Sequence, residues 1–228
     1  MLESFGPDIW IADGPVVSAI AGFQYPTRMA VIRLKDGTLV IWSPVTPSPE
    51  LFDAIDALGT VGHILAPNAL HHLALPDWHL RYPTALIHPA PGLAEKRTDL
   101  VFSSDLGDAP HLAWAGEIDQ VVVPNSIADE VVFFHKASGT VIFTDLLQNM
   151  PRGWYSGWRS IVARLDLMTG TTPRVPRKFR MALRARKAAE PVSRVLDWPA
   201  ERVLMAHGTP VTNDAQSYLQ GAFSWLVK

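Results

Sequence analysis

The stretch ILAPNALHHLALPDW, residues 64–78, decides how the rest of the chain is read. An apolar run, Ile64-Leu65-Ala66, halts at Pro67-Asn68, a pair that favours a turn over a continued strand. Two adjacent histidines, His71 and His72, follow within four residues. A buried strand that ends in a turn carrying imidazoles delivers metal-capable side chains from a rigid scaffold into a loop-lined space.

Working outward, the flanking sequence is rich in β signals. DIWIADG (8–14) and VVSAIAGF (16–23) read as short strands. RMAVIRL-KDG-TLVIWSP (28–44) reads as a hairpin turning at Lys35-Asp36-Gly37. SPELFDAIDALG (48–59) has the marks of a helix: Ser48 as cap, Pro49 in the first turn, Gly59 as stop, and Leu51, Phe52, Ile55 and Leu58 as the apolar stripe. VGHILAP (61–67) and TALIHP (84–89) are strands on either side of a short helix at LPDWHLRYP (75–83). Residues 91–118 are irregular. DQVVVPN (119–125) is a strand, and EVVFFHKASGTVIFTD (130–145) is a second hairpin turning at Ala137-Ser138-Gly139. Residues 150–200 are mainly helical in pattern, interrupted by GTTPRVP. AERVLMAHG (200–208) supplies a last strand. An amphipathic helix follows, with Ala215, Tyr218, Leu219, Ala222, Phe223 and Leu226 on one face. Two tight hairpins argue against a doubly wound parallel sheet and for a layered α/β (α+β) architecture.

The chain has 228 residues, 48% hydrophobic and 18% charged, which suits a folded domain over residues 1–228 with a sizeable core. Net charge is −2, so no global attraction to nucleic acid or anionic membranes is expected. The absence of cysteine excludes disulfides, thiolate zinc sites and a cysteine nucleophile. The N-terminal sequence lacks the basic and apolar regions of a signal peptide, and no apolar run is long enough to span a membrane; a cytoplasmic protein is expected.

Metal-capable groups recur at strand ends. His71 and His72 follow strand 61–66, Asp145 ends strand 140–144, and His207 ends strand 202–206. Imidazole and carboxylate suit zinc, iron or manganese, and a catalytic zinc site needs about three protein ligands plus an open position. Extending the second hairpin places Glu130 near Asp145 and His135 roughly 15 Å or more away, given about 3.3 Å of rise per residue. Adjacent residues on an extended chain point apart, which favours a single ligand from the histidine pair, with His72 preferred. His63, His79, His88 and His111 are expected at the surface or behind the site.

The strand-loop-histidine segment, TVIFTD (140–145) and VLMAHG (203–208) resemble the metallo-β-lactamase fold superfamily. That resemblance implies a four-layer αβ/βα sandwich with metals at one edge between the sheets, and an inserted helical region at 150–200. Its signature, His-x-His-x-Asp-His, is met here by Pro67-Asn68-Ala69-Leu70-His71-His72, which keeps only the last histidine. Asp145 matches the bridging aspartate and His207-Gly208 the late histidine, while a further histidine position falls near Asn125. Segments of the form PN-x-x-HH and TD-x-x-x-N resemble an uncharacterised branch of the superfamily. The resemblance therefore implies a degenerate, at most mononuclear site built from His71, His72, Asp145 and His207. Such a site implies a metal-dependent hydrolase of a small molecule, with Glu130 or Asn68 orienting water or substrate and loop 91–118 and helices 150–190 walling the cleft. The alternative is a metal-free, non-catalytic descendant that binds a ligand or partner.

Each residue also has a plainer role. Asp145 could cap a helix at DLLQN, Asn68 could form an Asx-turn, and His207 could bond a neighbouring turn. The seven basic residues from Arg174 to Lys187 could be a solvated face, or contact nucleic acid or an anionic membrane. Trp154 and Trp158 read as core or cleft lining.

Overall fold

The computed structural model describes residues 1–170 and 174–227. In chain order its elements are β1 (Glu3–Gly6), β2 (Ile9–Ser18), β3 (Gln24–Arg33), β4 (Thr38–Trp42), α1 (Pro49–Asp56), β5 (Thr60–Ala66), α2 (Leu75–Arg81), β6 (Leu86–Pro89) and α3 (Leu93–Lys96). There follow β7 (Ile118–Val123), β8 (Glu130–His135), β9 (Thr140–Phe143), α4 (Gly157–Leu165), α5 (Arg177–Ala182), α6 (Ala185–Asp197), β10 (Arg202–Met205) and α7 (Ala215–Phe223). Strands β1 to β6 form one sheet in sequence order; the other sheet runs β10-β9-β8-β7. The expected interruption GTTPRVP falls partly on 171–173, outside the described residues.

Alternation along the strands builds four layers. From β8, Val131 and Phe133 pack between the sheets with Ile9, Ile32, Trp42 and Leu65. Their neighbours Val132 and Phe134 face the other way, onto Val192 of α6 and Leu219 of α7. In the first sheet Met29, Val31 and Ile41 point outward and are covered by Leu51 and Ile55 of α1 and Trp78 of α2. The sequence of layers is thus helix, sheet, sheet, helix. Helix α1 begins as its sequence dictates: the Ser48 side chain accepts the Leu51 N–H, and Pro49 occupies the first turn.

Both sheets switch from antiparallel to parallel pairing where it matters. Strands β4, β5 and β6 are parallel neighbours, as are β9 and β10. Parallel neighbours end on the same side, so the segments after β4, β5, β9 and β10 share one edge of the sandwich. Asn149 pairs with Gly208 in an isolated parallel bridge that carries the β9–β10 alignment beyond the strands.

Candidate metal centre

Each side chain at this edge is held by a local device. After β5, Asn68 is fully buried. Its Oδ1 accepts the N–H groups of Leu70 (2.9 Å) and His71 (3.1 Å), forming an Asx-turn, and its Nδ2 donates to Asp145 Oδ2 (2.8 Å). The turn curls the chain so that His71, not His72, faces back across the sheet edge. His71 Nδ1 lies 2.8 Å from the hydroxyl of Ser43, which follows β4 with a positive φ of 50°.

Asp145 sits on a turn cradled by Glu130. One Glu130 oxygen accepts the Thr144 N–H (2.7 Å); the other accepts those of Asp145 (2.8 Å) and Leu146 (3.0 Å). The hairpin register, Phe133 opposite Ile142, extends to put Glu130 opposite Asp145. Burial, and then the charge of Asp145, push the Glu130 carboxyl up to about 8, while the three amides pull the other way. Burial also pushes Asp145 up, but hydrogen bonding with His207 and His71 holds it well below the usual carboxylate range. His71 is pulled below its ordinary value by burial, with Asp145 opposing.

His207 follows β10. Its Nδ1 is 2.7 Å from the Pro26 carbonyl oxygen, and its ring meets Tyr25 edge-on at 5.3 Å. A carbonyl oxygen can only accept, so Nδ1 carries the proton in the neutral ring and Nε2 is left with a lone pair. Gly208 is then required: its φ is +106°, and a Cβ there would collide with the Asn149 backbone. Arg28 of β3, paired with Asp13 at 2.7 Å, caps the carbonyls of Met205 and Gly208 and ties this strand end to the first sheet.

The result is a compact donor set. His71 Nε2 is 3.3 Å from His207 Nε2 and 3.5 Å from Asp145 Oδ2; His207 Nε2 is 3.3 Å from Asp145 Oδ1. Ligand bonds of about 2.0–2.2 Å in a tetrahedral site separate ligand atoms by about 3.3–3.6 Å, which the His71–His207 edge meets; the two carboxylate edges use different oxygens of Asp145, and with one oxygen per carboxylate the three donors lie within 4.8 Å of one another. The protonation pattern points the same way. Nε2 of neutral His207 and the Asp145 carboxylate are both acceptors, and two acceptors at 3.3 Å need a cation or proton between them. Among the described residues, His71, Asp145 and His207 form one group able to hold a metal ion. The buried side-chain oxygens of Thr144, Gln148 and Asn149, on the same turn as Asp145, have no hydrogen-bond partner.

Of the four ligands expected from sequence, the structure brings together His71, Asp145 and His207. His72 turns into the cleft wall, where Arg97 Nη1 lies 2.8 Å from its Nδ1; burial, then Lys96 and Arg97, lower its affinity for a proton. The preference for His72 assumed an extended chain, and the Asx-turn reverses it. Asn68 and Glu130 support Asp145 from behind, through its carboxylate and its backbone respectively. No helix begins at Asp145. Asn125 ties its loop to α5, donating to the Phe179 carbonyl (3.1 Å). Ser43, Pro26, Tyr25 and Arg28 were not expected at the site; the one local signal is that each lies at or near the end of a β-rich run.

The donor set lies in a cleft of about 680 Å³. Its walls come from β2 and the turn after it, the loop after β5, α4 and α5, through residues such as Ile20, Leu70, Val162 and Phe179. Loop 91–118, expected as a wall, instead packs His111 and Trp114 against His63 and His88, which are buried rather than superficial. Trp158, expected in the core or the cleft, is 53% exposed. The basic run divides: Lys178 and Arg180 are half-buried, and the other five charges are exposed. No helix among the described residues is long and apolar enough to cross a membrane.

This four-layer sandwich, with its donor set at the sheet edge, is the metallo-β-lactamase fold. Solved structures agree: a metallo-β-lactamase from Pontibacter korlensis superposes with a TM-score of 0.67 at 14% identity, over 99% of this chain and 98% of that one. The FIM-1 metallo-β-lactamase of Pseudomonas aeruginosa, in its mono-zinc form, gives 0.64 at 11% identity, over 99% and 95%. A metal-soaked flavodiiron core from Synechocystis sp. gives 0.69 at 11% identity, over 99% of this chain and 60% of that one. Within that fold, residues 8–155 match the domain of unknown function DUF4336, and the chain belongs to that family. No curated protein matches the sequence.

Proposed function

We propose that this protein is a mononuclear metal-dependent hydrolase of a small molecule, with His71, Asp145 and His207 as the ligands. The observation that carries this reading is the convergence of two imidazole Nε2 atoms, 3.3 Å apart, on the two oxygens of one carboxylate, at 3.5 Å from His71 and 3.3 Å from His207, with His207 Nδ1 committed to a backbone carbonyl. A divalent ion held there, zinc in first place and iron or manganese otherwise, supplies Lewis acidity and lowers the pKa of a coordinated water toward neutrality.

The chain's own residues do the rest. Ser43 and Pro26 fix the two rings so that their Nε2 atoms face the carboxylate, as partners behind metal ligands commonly do. Asn68 and Glu130 hold Asp145 in place and are positioning residues in this reading.

A second reading has its own support. A proton on His207 Nε2 would close the same network without an ion, as an imidazolium–carboxylate pair inside a ligand-binding protein. Elemental analysis of protein purified without an affinity tag separates the two. About one equivalent of zinc, iron or manganese, lost in His71→Ala and in His207→Ala and kept in His72→Ala, is the expected result. No metal after reconstitution, or its loss in His72→Ala alone, would overturn the hydrolase reading.

A further inference from the structure

We infer that the cleft accepts a long unbranched aliphatic chain, so that the substrate is an acyl ester or thioester whose carbonyl sits at the donor set. This rests on the hydrolase reading for its chemistry, and on the cleft alone for its binding. The walls are predominantly apolar. Val17, Leu70, Ile127 and Val162 line them, and Met168 and Phe179 close the interior. The mouth stays apolar where it meets solvent: Ile20 is 92% exposed and Leu73 is 71% exposed, and both line the cleft. Large aliphatic groups are normally left in water singly, so two of them on the lining of one cavity mark a surface that is covered in use.

Polar groups on the walls do not offer an alternative. Thr27 donates to the Pro15 carbonyl (2.8 Å), Ser43 is engaged by His71 (2.8 Å), and the Lys178 ammonium donates to the Tyr25 hydroxyl (2.7 Å). Asp166 accepts the Lys178 N–H (2.9 Å). A peptide, sugar or nucleotide needs donors and acceptors along its length; beyond these paired groups and the His71, His72, Asp145 and His207 side chains, the lining adds the hydroxyls of Ser18 and Thr46. The metal-capable groups of the lining are gathered in one place, at His71, Asp145 and His207. The ligand that fits has one polar, hydrolysable end and a chain that asks nothing of the wall except burial.

The reaction balances with water as the only co-reactant. The acyl carbon–oxygen (or carbon–sulfur) bond breaks, a hydroxyl from water joins the acyl carbon, and the proton of that water goes to the departing alcohol or thiol.

The test begins with metal-free protein. Nile red is bound in the cleft and displaced by n-alkanols from butanol to decanol. The dissociation constant should fall about fourfold per added methylene until the cleft is filled. Ile20→Asp and Val162→Asp, at the mouth and on the wall and in segments that carry no ligand, should weaken decanol binding about tenfold or more and leave metal content unchanged. With metal restored, kcat/KM for p-nitrophenyl esters should rise from acetyl to decanoyl and fall back in the same two variants. Binding that is independent of chain length, or untouched by both variants, would overturn the inference. So would co-sedimentation with neutral phosphatidylcholine vesicles without alkanol binding, which would make the rim a lipid-docking surface. Chain-length-dependent binding in a protein that holds no metal would sustain the acyl site and remove the hydrolase reading.

Discussion

Two histidine clusters lie in this molecule, and they differ in one residue type. At the sheet edge, His71 and His207 turn their Nε2 atoms onto the carboxylate of Asp145. Elsewhere on the first sheet, His63 of β5 and His88 of β6 lie side by side, His63 Nδ1 3.1 Å from His88 Nε2, with His111 and Trp114 packed over them. His88 Nδ1 is 3.2 Å from the Ser104 carbonyl, so each ring hands a proton to the next acceptor and the chain of bonds closes on backbone. No ring nitrogen in that pair is left facing another acceptor. The carboxylate is what turns a histidine pair into a ligand set; without it, two buried imidazoles satisfy each other and serve as packing.

That contrast can be broken first by exchanging its defining residue. Asp145→Asn should abolish metal binding, while His63→Ala and His88→Ala should leave the metal content at about one equivalent, all read by elemental analysis. Equal metal loss from either cluster would erase the distinction.

The next effect is on stability. Glu130→Ala would strand three buried N–H groups, and a buried donor left unsatisfied costs about 1–3 kcal/mol. With partial relief by water, we expect about 3–5 kcal/mol in denaturant unfolding, against at most about 1 kcal/mol for Glu117→Ala on the exposed turn before β7.

Asn68→Ala should act more narrowly. It removes the donor to Asp145 and the acceptor for two loop amides, so metal affinity should fall about 10–100-fold in a chelator competition. Stability should fall by about 1–3 kcal/mol. Unchanged affinity would show that Asp145 needs no support from behind.

The smallest effect is a slope. Burial pulls His88 down to about 4 and lowers His63 as well, the positive neighbours adding to this. Unfolding returns both toward about 6.5, so the unfolded chain takes up protons that the folded chain refuses. Their contribution is complete above about pH 6.5 and is lost as the pH falls toward 4. His135, also held down to about 4 by burial, acts in the same window. His88→Gln should therefore flatten the loss of stability in that window by up to about 1.4 kcal/mol per pH unit, measured as unfolding midpoints across the range.

How much of this was legible before folding is visible residue by residue. The two hairpins, the capped helix at 49–56 and the terminal amphipathic helix follow from local signals, because turn chemistry and apolar period act over a few residues. Glu130 beside Asp145 was equally legible, since a hairpin register is arithmetic once its turn is known. His71 over His72 was not: which of two neighbours faces a site depends on the turn Asn68 makes, and that turn is locked by Asp145, 77 residues away. The pairing of His63 with His88 was hidden for a similar reason, because parallel neighbours 25 residues apart meet only through the sheet.

What the sequence determined by itself is the inventory and its spacing. It set the β-rich runs that build two sheets, the strand ends that carry His71, Asp145 and His207, and the lack of thiolate ligands. Only the tertiary structure decided which lone pairs meet, since Ser43 and Pro26 commit the outer ring nitrogens from strands distant in sequence. It also decided which apolar side chains line a cleft instead of a core. Local propensity acts along the chain over a turn or two, whereas side-chain direction and burial are set by whichever segments pack across it.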